Sequence, residues 1–372
     1  MRKSSGMSPL LYMVTFSVVA SMSVVGCGDS ASPSNSDKGA GQGQADAAGS
    51  HRGTSDGSSS TTAQMAQVDE VMESFLKDNS QLEGAAVLVL HRDKGVLHRK
   101  AYGSFSEDRV YFVASSSKMV AAGIINRLHD DGTLDMYQSV TKIVDWGQAH
   151  PTIKPVQLIS NSSGLPGLES KTAPLGHGCQ YEPSAELEAC AKSIFEAKIE
   201  PEDTVVPPDT EFRYGGGQWQ VAGGIAEAAS GKSWAKLFNE IYVTPCGLKM
   251  SGFTHQYLLS GQENAFHNGF PYPTAFESNI DKLKPTENPL IEGGLYTTID
   301  DYGKLLMMHL KGGLCGSNRV HAQETIDRMH ADRILKVYKG KTGFPGMDGY
   351  GMGWWVDRST DGFTADPGAY GS

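Results

Sequence analysis

The sequence predicts an α+β domain: an antiparallel sheet flanked by helices, built from both ends of the chain, with a large helical insertion between. Three observations predict it. Near residue 84, two apolar runs flank a turn-forming Arg-Asp-Lys-Gly. The middle of the chain, about 133–294, leans to helix with long loops. Near the end, YGMGWWVD has the character of a strand.

The elements follow in order. In AQVDEVMESFLKDN, Val68, Val71, Met72, Phe75 and Leu76 fall on one helical face. GAAVLVLHRDKGVLHRKAYG reads as a hairpin turning at RDKG. From Ser116 to Asp130 the pattern is helical again. Val120, Ile124, Ile125 and Leu128 share a face, and DDGTLD closes the helix at Gly132. GQWQVAGGIAEAASGKSW is a helix with Val221, Ile225, Ala226 and Ala229 on its apolar side and Gly231 as its stop. TTIDDYGKLLMMHLKGG is another, with Thr298 or Asp300 as N-cap and Gly312 past its end. There are no internal repeats.

The 372 residues carry a net charge of -10. An acidic balance argues against nucleic acid or an anionic membrane surface as partner. Residues 1–27 read as a secretory signal: Arg2 and Lys3, then an uncharged apolar run. Its ending, Val24-Val25-Gly26-Cys27, resembles a bacterial lipobox, which makes Cys27 the expected lipidation site. Residues 28–65 are rich in Ser, Gly, Ala and Asp without apolar periodicity, as a flexible tether would be. The expectation is an exported, membrane-anchored lipoprotein whose folded domain occupies 66–372. In an oxidising compartment the even number of remaining cysteines suggests two disulfides. Proximity favours Cys179–Cys190 and leaves Cys246–Cys315. Their spacing does not suit a metal.

YFVASSSKMV sets three serines before a lysine. Only Ser115 stands three residues before Lys118, a spacing that puts both on one helical face, roughly 5–6 Å apart at Cβ. Ser115 also falls at the helix start, where free backbone N–H groups can hold an oxyanion and Lys118 can take the hydroxyl proton. By itself S-x-x-K reads equally as a Ser N-cap followed by a solvated lysine. Tyr214, in FRYGGGQWQVAGGI, is a second candidate: it lies on an extended piece before a helix, and the neighbouring glycines predict an exposed, accessible ring that can serve as general base.

In this order, FVASSSKM, DDGTLDMYQSVTKIV, VQLISNSSGLPG, FRYGGGQWQVAGGI, EGGLYTTIDDYGKLL and YGMGWWVD resemble the class C β-lactamase-related serine hydrolases, a group of β-lactamases, D,D-peptidases and esterases. The resemblance runs from about residue 66 to the end. It implies a β-lactamase/penicillin-binding-protein-like fold and an acyl-enzyme on Ser115, with Lys118 and Tyr214 moving protons and no metal or cofactor. The backbone N–H groups of Ser115 and Ala369 would form the oxyanion hole. Lys341-Thr342-Gly343 copies the text of the family's third motif but precedes YGMGWW, and reads as a Gly-rich surface loop. The positional match is Asp366-Pro367-Gly368.

The departures bear on substrate. Asp366 stands where relatives carry a cation facing a substrate carboxylate. Gly216 stands where they carry an asparagine that contacts a substrate amide. Asn161 stands where they often have histidine. The changes at Asp366 and Gly216 favour a neutral ester over a β-lactam or a peptidoglycan-like peptide, while Asn161 suggests no chemical role by itself. The alternatives are a β-lactamase or D,D-peptidase, and a non-catalytic binding lipoprotein of the same fold. The chain also stops soon after Asp366, so C-terminal elements of the fold are expected to be missing.

Overall fold

The protein was analysed as a computed structural model, which describes residues 11–16, 56–168, 175–198, 204–255, 285–344 and 347–358. Strand β2 (Gly84–His91) is the middle of the main sheet. The predicted hairpin joins it to β3 (Gly95–Gly103), with Arg92 to Lys94 in the turn and a bulge between Val89 and Leu90. The other edge of β2 carries β1 (Leu11–Phe16), antiparallel, from Leu11 opposite His91 to Phe16 opposite Ala86.

β1 comes from the run read above as a signal. An uncharged apolar hexapeptide is also what an open sheet edge accepts, since a partner strand satisfies its unpaired N–H and C=O groups. Helix α1 (Asp56–Asp78) likewise begins inside the stretch read as tether. Once nucleated, a helix extends at little cost through residues with no strong preference of their own.

β2 is buried on both faces. Ala85, Val87 and Val89 pack with Tyr102 against Met72 of α1, with Met65, Val68 and Leu76 at the margin. Val71, expected on that face, is instead 54% exposed. Adjacent helical residues point about 100° apart, so Met72 and Val71 cannot both face the sheet. Ala86, Leu88 and Leu90 belong to the main core. This core includes α2 (Ser117–Asp130), α3 (Leu187–Phe195), α4 (Gly217–Ser230) and α5 (Ile299–Leu310).

The predicted stops and caps are local and hold. Gly231 closes α4 in the left-handed region at φ 64°. The Thr298 hydroxyl, rather than Asp300, caps α5 by accepting from the Asp301 N–H. YGMGWWVD is not one strand but a hairpin, β7 (Gly349–Tyr350) against β8 (Trp355–Val356), tightly turned between them. Gly353 makes that turn at φ 76°, where an added Cβ would stand 2.6 Å from the Lys118 carbonyl oxygen. The hairpin therefore presses against the start of α2. Among the described residues no helix is long and apolar enough to cross a membrane.

Candidate active site

A small sheet sets the entry to α2. Strands β4 (Tyr111–Phe112), β5 (Gly252–Phe253) and β6 (Leu295–Thr297) run antiparallel with β6 in the middle. The Val113 N–H donates to the Leu295 carbonyl at 3.0 Å and extends the pairing by one residue. The next residue, Ala114, has φ 45°, a left-handed conformation unfavourable for any residue with a Cβ. A 3₁₀ turn, Ala114–Ser116, then leads into α2. Backbone strain of this kind persists only where surrounding contacts enforce it, and it turns Ser115 out of the helix start.

Ser115 and Lys118 meet. The Lys118 side chain is only 2% exposed. Its Nζ donates to Ser115 Oγ at 2.9 Å and to the Glu292 carbonyl oxygen at 3.1 Å. The other two serines have structural duties. Ser117 is fully buried, and its Oγ accepts from the Leu295 N–H at 3.0 Å, tying α2 to β6. Ser116 offers its carbonyl to the Tyr302 hydroxyl at 3.1 Å. Neither side chain makes a cap bond to its own helix.

Tyr214 is in the site but not as its glycine-rich surroundings suggested. The ring is 6% exposed, not open. It stacks on Trp355 with centroids 5.2 Å apart and meets Phe344 edge-on at 6.2 Å. Phe212 and Tyr350 complete this aromatic cluster. Gly215, beside Tyr214, admits neighbouring backbone rather than solvent: a Cβ there would stand 2.8 Å from the Gly167 Cα. Lys118 Nζ lies over the Tyr214 ring, 4.8 Å from its centroid, in cation–π geometry. The Tyr214 hydroxyl is buried and has no hydrogen-bond partner among the described residues.

Asn161 acquires a role here. At φ 53°, it accepts on Oδ1 from Gln218 Nε2 and Trp219 Nε1, both at 3.0 Å, while its carbonyl accepts from the Arg213 N–H at 2.8 Å. It thereby fixes the segment that carries Tyr214 to the start of α4.

Glu292 was missed in the sequence. Its carboxyl lies against Gly216: a Cβ there would overlap Oε1 and stand 2.5 Å from Cδ and 2.9 Å from Oε2. The absent side chain at 216 is thus matched by a carboxyl reaching in from 292. Burial raises the Glu292 pKa, and the Lys118 charge opposes that rise without cancelling it. Oε2 is closed to solvent and has no partner among the described residues. The only sequence signal was a charged residue set directly before Gly293-Gly294 inside a motif.

Asp366, Gly368 and Ala369 lie outside the described residues, as does Cys27. The Lys341-Thr342-Gly343 loop exposes Lys341 and buries Thr342, whose hydroxyl donates to the Met347 carbonyl. Its neighbour Phe344 supplies the edge-on contact to Tyr214, so the loop supports the aromatic wall of the site. Both disulfides, Cys179–Cys190 and Cys246–Cys315, are formed.

An α+β fold with a serine at a helix start and a buried lysine one turn on is the arrangement expected of serine hydrolases that act through an acyl-enzyme. A sequence model described as Beta-lactamase matches residues 61–372, and the chain belongs to that family. Among its relatives is penicillin-binding protein 4 of Amycolatopsis lactamdurans, 26% identical over 187 residues, a match covering 47% of this chain and 46% of that protein. The chain thus matches about half the length of that relative. A candidate β-lactamase from Bacteroides dorei DSM 17855 superposes with a TM-score of 0.58 at 28% identity, covering 78% of each chain. EstCE1, a hydrolase with promiscuous acyltransferase activity, superposes with a TM-score of 0.59 at 18% identity, covering 80% of this chain and 84% of its own. At that identity the likeness to EstCE1 is one of fold.

Proposed function

We propose that Ser115 is the nucleophile of an exported, lipid-anchored hydrolase acting on a neutral ester. The observation that carries this reading is the 2.9 Å bond from a buried lysine to a serine hydroxyl held beside a strained residue. In the first step Ser115 Oγ bonds to the acyl carbon. Its proton passes to the lone pair of Lys118 Nζ, which acts here as the neutral amine, and the carbonyl electrons move onto oxygen as the tetrahedral oxyanion forms. The N–H groups of Ser115 and Ala369 stabilise that charge. Collapse expels the alcohol, which takes up a proton. Water then repeats the sequence and releases the acid. Tyr214 sits under Lys118, and its hydroxyl, without a partner among the described residues, is available for proton transfer.

Preference for an ester rests on Asp366 and Gly216, which withdraw carboxylate and amide recognition while leaving Ser115, Lys118 and Tyr214 in place. The penicillin-binding protein among the relatives favours a second reading, a D,D-peptidase or β-lactamase acting on peptidoglycan-like substrates. The anchor reading, in which Leu11–Phe16 leave with the signal and β2 loses β1 as its neighbour, predicts that palmitate labelling of the expressed protein is lost in Cys27→Ala.

A fluorophosphonate probe, followed by peptide mass spectrometry, tests the site. The expected result is label on Ser115, lost in Ser115→Ala and slowed by about 10²–10⁴-fold in Lys118→Ala. Label on Ser116 or Ser117 would overturn the assignment. Short-chain p-nitrophenyl esters run beside nitrocefin and penicillin separate the two substrate readings.

A further inference from the structure

Resting on the serine-hydrolase reading, we propose that Glu292 determines specificity, its carboxyl selecting acyl groups that bear an amine and rejecting those that bear a carboxylate. Four observations converge on it. First, residue 292 is linked directly to the nucleophile: its carbonyl accepts from Lys118 Nζ at 3.1 Å, and the same Nζ donates to Ser115 Oγ at 2.9 Å. Secondly, its carboxyl occupies the space over Gly216, two residues from Tyr214, and an ammonium brought against it would draw it to its ionised form. Thirdly, Oε2 is closed to solvent yet lacks a donor among the described residues. A buried acceptor left unmet costs free energy, and an N–H or ammonium placed there recovers it. Fourthly, the Tyr214 hydroxyl, on a residue two positions from Gly216, also has no partner among the described residues and offers an incoming amine a second polar contact.

The remaining surroundings agree in chemistry. Gly293 lies beside Ala114, where a Cβ would stand 3.6 Å from the Ala114 carbonyl carbon. The backbone between Glu292 and the nucleophile therefore carries little side-chain bulk, and an acyl chain of short reach can span it. Lys118 is committed to Ser115 and to the 292 carbonyl, so it does not saturate the carboxyl. A second carboxylate brought to this point would face Glu292 at short range with little water between, a repulsive element that discriminates as effectively as an attractive one.

Alanine benzyl ester, its N-acetyl form and its N-succinyl form test this, with released benzyl alcohol followed by chromatography and Ser115 labelling by fluorophosphonate run in parallel. In the wild type, kcat/KM is expected to fall from the free amine to the N-acetyl ester by about tenfold and again to the N-succinyl ester. In Glu292→Gln, which keeps the shape and removes the charge, the three values should draw together. The change should lie mainly in KM for the amine, with Ser115 still labelled. Should Glu292→Gln fail to fold, the wild-type ranking decides alone. Equal rates for the three esters, or an unchanged ranking in Glu292→Gln, overturns the role of Glu292 while retained labelling leaves the hydrolase intact. Absence of label on wild-type Ser115 overturns both.

Discussion

Ala114 is the residue on which the geometry of Ser115 turns. Its φ of 45° is unfavourable for alanine and worse for a β-branched side chain. Ala114→Val is expected to lower stability by roughly 1–3 kcal/mol. It should also slow fluorophosphonate labelling beyond what the thermal shift explains, because the serine loses its presentation. A thermal melt with a labelling time course checks both. An equal loss in Ala121→Val, in the interior of α2, would show that volume rather than backbone strain is responsible. At this scale the sequence was partly readable. Helical spacing singled out Ser115 and Lys118 because i and i+3 neighbours are set by local backbone geometry. The positive φ of Ala114 was not readable, since nothing about alanine calls for it. It follows directly on the pairing of β4 with β6, which ends at Val113.

Among the elements, helix α6 (Arg333–Tyr338) holds Asp209 and the loop that carries Ser160 and Ser162 in place. Arg333 donates to both carboxylate oxygens of Asp209, at 2.7 and 3.0 Å, and to the hydroxyls of Ser160 and Ser162 at 3.0 and 2.8 Å. Burial alone would raise the Asp209 pKa. Hydrogen bonds and charge from Arg333, with help from Gln157 and Ser162, outweigh it and hold the pKa below normal. The sign follows: a depressed carboxylate contributes stability above its unfolded pKa, and that stability is lost as pH falls through the folded value. Arg333→Met should therefore cost roughly 2–4 kcal/mol at neutral pH, because it leaves Asp209 half-buried and unpaired. The cost should shrink in acid, where Asp209 is protonated. Denaturant melts at pH 7 and pH 3 check this, and an equal loss at both would show that the arginine acts through packing alone. The loop fixed by this network also carries Asn161, hence the support for Tyr214.

Across the whole molecule, three buried histidines make stability fall in acid. Burial lowers the pKa of His321 and of His330 to about 4, and that of His309 well below its ordinary value. His321 meets the Tyr242 hydroxyl at 2.8 Å, and His309 and His330 stack on each other beside Trp354. The unfolded chain binds protons at these sites near pH 6.5 while the fold does not. Stability is therefore complete above that pH and lost as pH falls toward 4, by about 3 kcal/mol for each of His321 and His330. Glu227 acts in the opposite sense. Burial, with repulsion from Glu287, Glu188 and Glu186, raises its pKa to about 7, although its Oε1 accepts from the Trp234 N–H at 2.6 Å. Its ionisation costs stability as pH rises from about 4.5 to about 7. Glu227→Gln should thus raise the melting point at pH 8, by the equivalent of about 1–2 kcal/mol after solvent screening, and change little at pH 4.5. An unchanged melting point at pH 8 would show that Glu227 ionises without strain.

The sequence by itself determined what local geometry decides: the Gly84–Gly103 hairpin, the stop at Gly231, and the spacing that joins Ser115 to Lys118. Tertiary structure alone decided the rest of the site. It buried Tyr214 under Trp355 and Phe344, gave Asn161 its bonds to Gln218 and Trp219, and brought the Glu292 carboxyl into the space left by Gly216. The physical reason is the same in each case. Turns, caps and helical faces depend on a few consecutive dihedral angles. A pocket wall depends on which distant segments pack together, and no periodicity in the chain encodes that a missing side chain at 216 makes room for a carboxyl from 292.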